Sequence, residues 1–547
     1  MLTGVSGYAV PLPAGEGGSL TYSAGNYVRY LIPVSTTAGG LMAGILVYKL
    51  APGTEGLGIN SAINAFHNLK ARIRNRTPAV KLVSSALVIG SGGSAGRDGP
   101  VALISAVFGS FLANLFHLND HDRRIVMASG IGAGIGSIFM APIGGAIMST
   151  EILYRKDFEV EALIPATVAS LVGYAIFGFQ FHYVTLFSVP TNDFLFSNPL
   201  SIIVYASIGV VAGAASKFYV RLYDLIHLAF LRMRHIPIWV KPAIGGLLVG
   251  VIAMFYPEVL GLGYGFVQLI LSGTLTLTLF ALLLLFFAKI LATSFSVGSG
   301  GAGGVFAPSI VTGAFLGAFL AGTLGHYLPF STEQEIIIVT MLAFFAASAK
   351  TPISMLVMGT EMVGGLDMFL PLTIAITIAY FLSGGRDSLY GAQVMNKLHS
   401  PAHLYEYRQD IMHGIPVGDI MNRNFITCSK DSTIEEVLFR MKAHRARGIV
   451  VESTEGPQGY ITMGQVELEY KFPRRRLRDI GIPETASISR TTPMDKVLSI
   501  LPDDTQGAII VLDRKGGKIC GTVGFDEVAD GYQEAYLEFK TRQMSQA

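Results

Sequence analysis

The sequence predicts a polytopic, all-α membrane protein made of two repeats of broken helices, followed by a small α/β tandem. Three observations carry that expectation. The glycine string Gly90-Ser91-Gly92-Gly93-Ser94-Ala95-Gly96-Arg97-Asp98-Gly99-Pro100 aligns without a gap on Gly298-Ser299-Gly300-Gly301-Ala302-Gly303-Gly304-Val305-Phe306-Ala307-Pro308, at an offset of 298 − 90 = 208. The composition is 51% hydrophobic and 14% charged, with mean hydropathy +0.51, against roughly 25% charged in soluble domains. Beyond about residue 410 the texture changes to charged, alternating strand-and-helix sequence.

Along the chain the first repeat opens with Gly39-Gly40-Leu41, Gly44 and Gly56-Leu57-Gly58, echoed by Gly245-Gly246-Leu247, Gly250 and Gly261-Leu262-Gly263. Pro142-Ile143, Met148 and Thr150-Glu151 then recur as Pro352-Ile353, Met358 and Thr360-Glu361, at 352 − 142 = 210. Three blocks that agree in order and spacing describe one duplicated unit with short loop insertions, and a period this long excludes solenoids and propellers. The runs Leu275 to Ile290 and Val311 to Leu324 are apolar enough for membrane helices. Lys289 is the one formal charge between Leu260 and Thr332. The Met1 end has neither a basic leader nor a cleavage site, so no removable signal peptide is expected.

Charges gather where loops are expected. Lys70, Arg72, Arg74, Arg76 and Lys81 form one basic group, and Arg232, Arg234, His235 and Lys241 another. The positive-inside rule assigns both to the cytoplasmic face. The net charge of +2 says little about partners. The domains are expected at 1–410 (repeats about 30–200 and 201–405), 411–471 and 472–547. In the last two, Asp419-Ile420 recurs as Asp479-Ile480 and Val437-Leu438 as Val497-Leu498, at 479 − 419 = 60. Each half has an amphipathic helix, a β-rich run (Gly448 to Val451, Gly507 to Val511) and a second short strand, the pattern of a small α/β unit. Lys471-Phe472-Pro473-Arg474-Arg475-Arg476 reads as a solvated linker. Cys428 and Cys520 fall here and read as two core thiols, with no disulfide framework and no metal site.

The chemistry concentrates in the glycine strings. Exposed backbone is forbidden in lipid unless protein buries it or it lines a cavity, and matched breaks in two halves point to a transport site. Arg97 and Asp98 are the charged residues between Lys81 and Asp120. Ionisable groups at membrane depth sit on an ion path or pair with each other. Gly96 and Gly99 free the backbone to present N–H groups, and Pro100 suits a first helical turn. Successive N–H groups and a helix N-terminus hold an anion without a full counter-charge. The second string has the same grammar and no acid, so two helix N-termini can converge on one anion, whereas a cation site wants several acids. Gly298 to Gly303 fits G-x-G-x-x-G, but inside an apolar region with no strand before it. There is no phosphate-binding G-K-[ST], no H-E-x-x-H and no nucleophile–base set, so no enzyme is expected.

With these residues in view, the chain resembles the CLC family of chloride channels and chloride/proton exchangers across nearly all of residues 30–405. Gly96-Arg97-Asp98-Gly99-Pro100 matches G-R-E-G-P, Gly304-Val305-Phe306-Ala307-Pro308 matches G-x-F-x-P, and Gly56-Leu57-Gly58-Ile59-Asn60 matches G-S-G-I-P imperfectly. Tyr390 meets the terminal-helix tyrosine. The resemblance implies inverted repeats, a homodimer with one anion pathway per subunit, residence in a prokaryotic plasma membrane and a cytoplasmic C-terminal unit. It implies an outer anion site of backbone N–H groups around Arg97, Asp98, Gly99, Val305 and Phe306. Asp98 would be the gating acid, and Tyr390 would offer its hydroxyl to the central anion. The C-terminal halves resemble a CBS tandem, in which Thr462 and Gln465, and Glu527 in the second half, stand where an adenine nucleotide's ribose is held. Chloride is the implied substrate, with protons as a further one; no nucleic acid is expected.

Three departures from the family pattern matter. Asp98 is one methylene shorter than the family's glutamate. Leu57 replaces the serine that faces the central anion. Ile152 stands at the inner proton glutamate, leaving Glu151, one position earlier, as the proton-path candidate, against a duplicated helix-end role shared with Glu361. These departures favour passive or weakly proton-coupled chloride movement over strict chloride/proton exchange. Two readings from other classes remain: a secondary carrier for another solute, and a nucleotide sensor with a membrane anchor.

Overall fold

A computed structural model describes residues 1–13, 20, 27–189, 199–324, 332–403, 412–453, 456–501, 507–513 and 517–546. Residue 411, where the first α/β half is expected to begin, lies outside them. The described residues form two compact units, Met1–Ala402 and His403–Ala547.

The first unit is helical. After a short α1 (Leu2–Ser6) come α2 (Ile32–Leu50), α3 (Gly58–Asn68), α4 (Thr77–Gly90), α5 (Asp98–Leu115), α6 (Asp120–Ile138), α7 (Pro142–Glu151) and α8 (Val160–Phe181). The long α9 (Ser201–Arg232) leads to α10 (Lys241–Phe255), α11 (Tyr264–Leu271), α12 (Leu279–Gly298), α13 (Phe306–Leu324), α14 (Glu333–Ala349), α15 (Pro352–Val363) and α16 (Phe369–Ser383). Helices α2 to α8 thus recur in order as α10 to α16. Equivalent helices share their start and stop signals. Proline occupies the first turn of α2 and α10, and of α7 and α15, where its missing N–H costs nothing. Left-handed residues, Met140 (φ 53°) and Lys350 (φ 60°), follow α6 and α14.

Among the described residues, eight helices are long and apolar enough to cross a membrane. They differ in burial as their places require. Every residue of α14 from Glu335 to Ala349 is buried, while α8 turns Ile164 and Phe179 outward, 76% and 84% exposed. An apolar helix exposed on one side suits lipid or another subunit. Equivalent helices pack against each other, α2 on α10, α5 on α13 and α7 on α15. The α7–α15 pair runs antiparallel, since Glu151 at the end of α7 caps the start of α15, and Glu361 near the end of α15 caps the start of α7. The repeats are inverted.

Three details differ from the sequence reading. The apolar run from Leu275 does not enter α12 until Leu279, because the Thr278 side chain accepts from the Ala281 N–H and fixes the helix start there. Lys81 and Lys241, read as loop charges, are buried at 0% and 7% exposure. Cys520 is half-buried rather than a core thiol.

The second unit has two three-stranded sheets. In one, β1 (Thr427–Ser429) runs parallel to β2 (Gly448–Ser453), which pairs antiparallel with β3 (Gly456–Thr462). In the other, β4 (Ser487–Ser489), β5 (Ala508–Leu512) and β6 (Ile519–Gly524) repeat that pattern. Val450, Ile510 and Leu512 form a shared apolar cluster with Tyr460 between the halves, and Arg447 pairs with Asp526 across them. Burial pushes the Cys428 thiol up to about 12, so it stays protonated and inert.

Candidate functional site

The glycine strings end their helices and meet. Gly96 and Gly304 exchange both backbone hydrogen bonds at 2.7 Å, so the residues just before α5 and α13 are tied into one antiparallel bridge. A second bridge joins Leu57 to Gly303, with the Gly56 N–H donating to the Gly300 carbonyl at 3.3 Å. Three helix N-termini, those of α3, α5 and α13, are thereby drawn to one locus by backbone bonds alone.

Asp98 sits at that locus, 1% exposed. Its Oδ2 accepts from the Phe306 N–H at 3.2 Å, and the amides of Gly99 and Ala307 lie close enough to act on it. Oδ1 makes no hydrogen bond of ordinary geometry among the described residues. The carboxylate of one repeat therefore occupies the helix N-terminus of the other, a place suited to any small anion. Side chains would abolish that fit: a Cβ on Gly304 would stand 2.2 Å from Asp98 Oδ2, and one on Gly96 2.0 Å from Oδ1. Val305 and Phe306 are both buried, and the Phe306 ring packs 4.3 Å from Phe139 and 4.4 Å from Phe345. Arg97 donates to the Ile138 carbonyl at 3.0 Å.

Tyr390 is wholly buried and its hydroxyl has no hydrogen-bond partner among the described residues. It lies in electrostatic range of Asp98. Gln393, which the sequence reading missed, holds its turn. The Gln393 amide nitrogen donates to the carbonyls of Ile152 (2.9 Å) and Ala349 (3.0 Å), and Ser388 Oγ donates to its oxygen at 2.6 Å. Leu57 is the cap residue of α3 and 4% exposed; it brings no hydroxyl to the locus.

Also missed is a duplicated buried cation. Lys81 on α4 donates to the carbonyls of Thr54 (2.9 Å) and Gly56 (2.7 Å). Lys289 on α12 donates to those of Val259 (2.8 Å) and Gly261 (3.1 Å). Both are 0% exposed, and 289 − 81 = 208, the offset of the glycine strings. Each lysine Nζ secures the loop before a short helix, α3 or α11, through two backbone carbonyls. The signal for Lys81 was in the sequence, as the repeat partner of a lone charge in an apolar run.

Glu151 is held elsewhere. Its carboxylate accepts from the N–H groups of Ile353 (3.0 Å) and Ser354 (2.7 Å) and from Ser354 Oγ (2.6 Å). Glu361 accepts from Ile143 (3.0 Å) and Gly144 (2.7 Å) in the mirrored way.

In the second unit, Thr462 and Gln465 close a reciprocal capping box at the start of α17 (Met463–Glu469, directly after β3). Glu527 accepts from the Gly524 N–H at 2.9 Å. Burial, with Glu527 nearby, pushes the Tyr460 phenol up to about 12.

The family model described as voltage gated chloride channel matches residues 39–384, and that of the CBS domain residues 417–466. An uncharacterized protein of Methanocaldococcus jannaschii is 32% identical over 356 residues, 64% of this chain and 84% of that protein. A voltage-gated ClC-type chloride channel of Salmonella typhi is 34% identical over 319 residues, 57% of this chain and 74% of that one. Among solved structures, a slow cyanobacterial Cl−/H+ antiporter superposes with TM-score 0.60 at 21% identity, over 66% of this chain and 85% of its own. A eukaryotic CLC transporter gives TM-score 0.53 at 18% identity, over 91% and 90%. Both of these structures speak to the fold alone.

Proposed function

This chain belongs to the voltage-gated chloride channel family, and from that premise we propose that it conducts chloride across a membrane past an acidic gate at Asp98. The observation that carries the reading is the buried Asp98 carboxylate on the Phe306 N–H, at the Gly96–Gly304 bridge. A carboxylate and a halide compete for the same donors, so an acid that already fills such a locus acts as a tethered competitor. Protonation cancels its charge, weakens its hold and opens the way. Tyr390 then offers a buried hydroxyl to the next anion position. Chloride-loaded vesicles containing the protein are expected to release chloride far faster than protein-free ones; equal leak would refute the reading.

Chloride movement with little or no proton coupling is the better-supported mode. Ile152 carries no proton, and the nearest acid, Glu151, has its oxygens committed to Ile353 and Ser354. Two chains as the working unit, each with its own pathway, belong to the same proposal; the exposed apolar side of α8 offers a face for such pairing.

For the C-terminal pair we propose a clamp rather than a nucleotide receptor, located at the cytoplasmic side. The side chains that would grip a ribose are spent on capping, Gln465 on Thr462 and Glu527 on Gly524. Calorimetry of the full chain with ATP or AMP is expected to give no saturable heat at submillimolar ligand. Saturable binding that Thr462→Ala abolishes would overturn the clamp.

A further inference from the structure

Helix α9 carries chemistry that the gate and Tyr390 leave unused. Tyr219 and Tyr223 stand one turn apart on its buried face, in electrostatic range of Tyr390, and Tyr219 is also in range of Asp98. The Tyr219 ring stacks on Phe344, centroids 5.6 Å apart and planes at 15°, which fixes where its hydroxyl points. That hydroxyl reaches the first turns of α13, where Ser309 Oγ lies 3.3 Å away. Ser309 meanwhile donates to the Val305 carbonyl at 2.6 Å. A serine has one hydroxyl proton, so the short bond commits it, and 3.3 Å is long for a contact between two hydroxyls.

The Tyr219 proton is therefore held only weakly, at full burial, where an unmet donor is costly. Tyr390, in the same neighbourhood, has a buried hydroxyl with no hydrogen-bond partner among the described residues. Two under-used phenols beside two helix N-termini form a set of donors, one loosely held by Ser309 and one without a partner among the described residues. An anion completes it. Phenols suit this task because they donate strongly yet stay neutral near pH 7, so they hold a halide without trapping it. The residue that would otherwise supply a hydroxyl from α3 is Leu57, which has none.

We propose that Tyr219 is a second hydroxyl donor to the central anion, shared with Tyr390, and that it supplies the contact Leu57 does not. This rests on the reading of the site as a chloride path. The specificity it confers is for small hydrogen-bond-accepting anions over apolar or bulky ones.

The test is chloride titration by calorimetry on the full-length protein in detergent, with Tyr219→Phe, Tyr390→Phe and Tyr219→Phe combined with Leu57→Ser. Phenylalanine keeps the stacking on Phe344, so the fold is expected to survive, as an unchanged melting transition would verify. Tyr219→Phe is expected to weaken chloride binding about tenfold, the cost of one lost bond to a charged group, and Leu57→Ser to recover most of it. Unchanged affinity in Tyr219→Phe, with a loss in Tyr390→Phe, would overturn this inference and leave the chloride path standing. Loss without recovery by Leu57→Ser would make Tyr219 a packing residue and overturn it too. No chloride binding by the unaltered protein would instead bring down the proposed function itself.

Discussion

Asp98→Ala is expected to leave chloride efflux running at neutral pH and to abolish its dependence on acid. The sign follows from competition. In the unaltered protein the ionised carboxylate fills the N-terminus of α13 through the Phe306 N–H, so flux is low when Asp98 is charged. As pH falls through the range where it protonates, the charge disappears, the competitor loosens and flux rises, by at most about tenfold per unit above that range and levelling off below it. Alanine removes the competitor outright. Flux at neutral pH then matches or exceeds the acid-stimulated rate, and the pH profile is flat. The change leaves the fold intact, since the Gly96–Gly304 bridge is made of backbone. Efflux followed with a chloride electrode at several pH values reads the result directly. A profile that keeps its slope in Asp98→Ala would assign the acid a structural place and move the gate elsewhere.

The second large effect is expected on stability. Glu151→Ala takes the carboxylate from two backbone N–H groups and one hydroxyl at the start of α15. Burial at 5% exposure leaves those donors without water to replace it, and each buried donor left unpaired costs roughly 1–3 kcal/mol. Glu361→Ala, which uncaps α7, is expected to behave alike but more mildly, because its bonds number two and Glu361 is only partly buried. Melting of the purified protein in detergent is the readout: a clear drop for Glu151→Ala, with residual chloride flux still responding to acid. Normal melting together with a selective loss of proton movement would make Glu151 a proton carrier and reject the clasp.

How much of this was legible in the sequence depends on whether the physics is local. The glycine strings announced the site because backbone breaks in apolar sequence have few other uses, and their common offset located the partner residues. The Asp98–Phe306 contact spans that same offset of 208, so the register of the repeat already named the pair. Lys81 was misread since four nearby basic residues belong to a loop, and only its equivalence to Lys289 separates it from them. The Glu151–Glu361 pairing was visible, but its reciprocity depends on two helices running antiparallel, which sequence spacing does not encode. Tyr219 and Gln393 were not legible at all. An aromatic on a long apolar helix reads as core, and a glutamine in a loop reads as solvated, until tertiary packing brings each beside Tyr390 or Ile152.

The central claim is a chloride path with an acidic gate and no proton branch. Chloride-loaded vesicles in a weakly buffered medium, with chloride and proton electrodes read together, test it most directly. The expected trace is rapid chloride release, accelerated by acid, with no sustained uphill movement of protons. Protons driven uphill in fixed proportion to the chloride released, and stopped by Asp98→Ala, would contradict it and make the protein an exchanger.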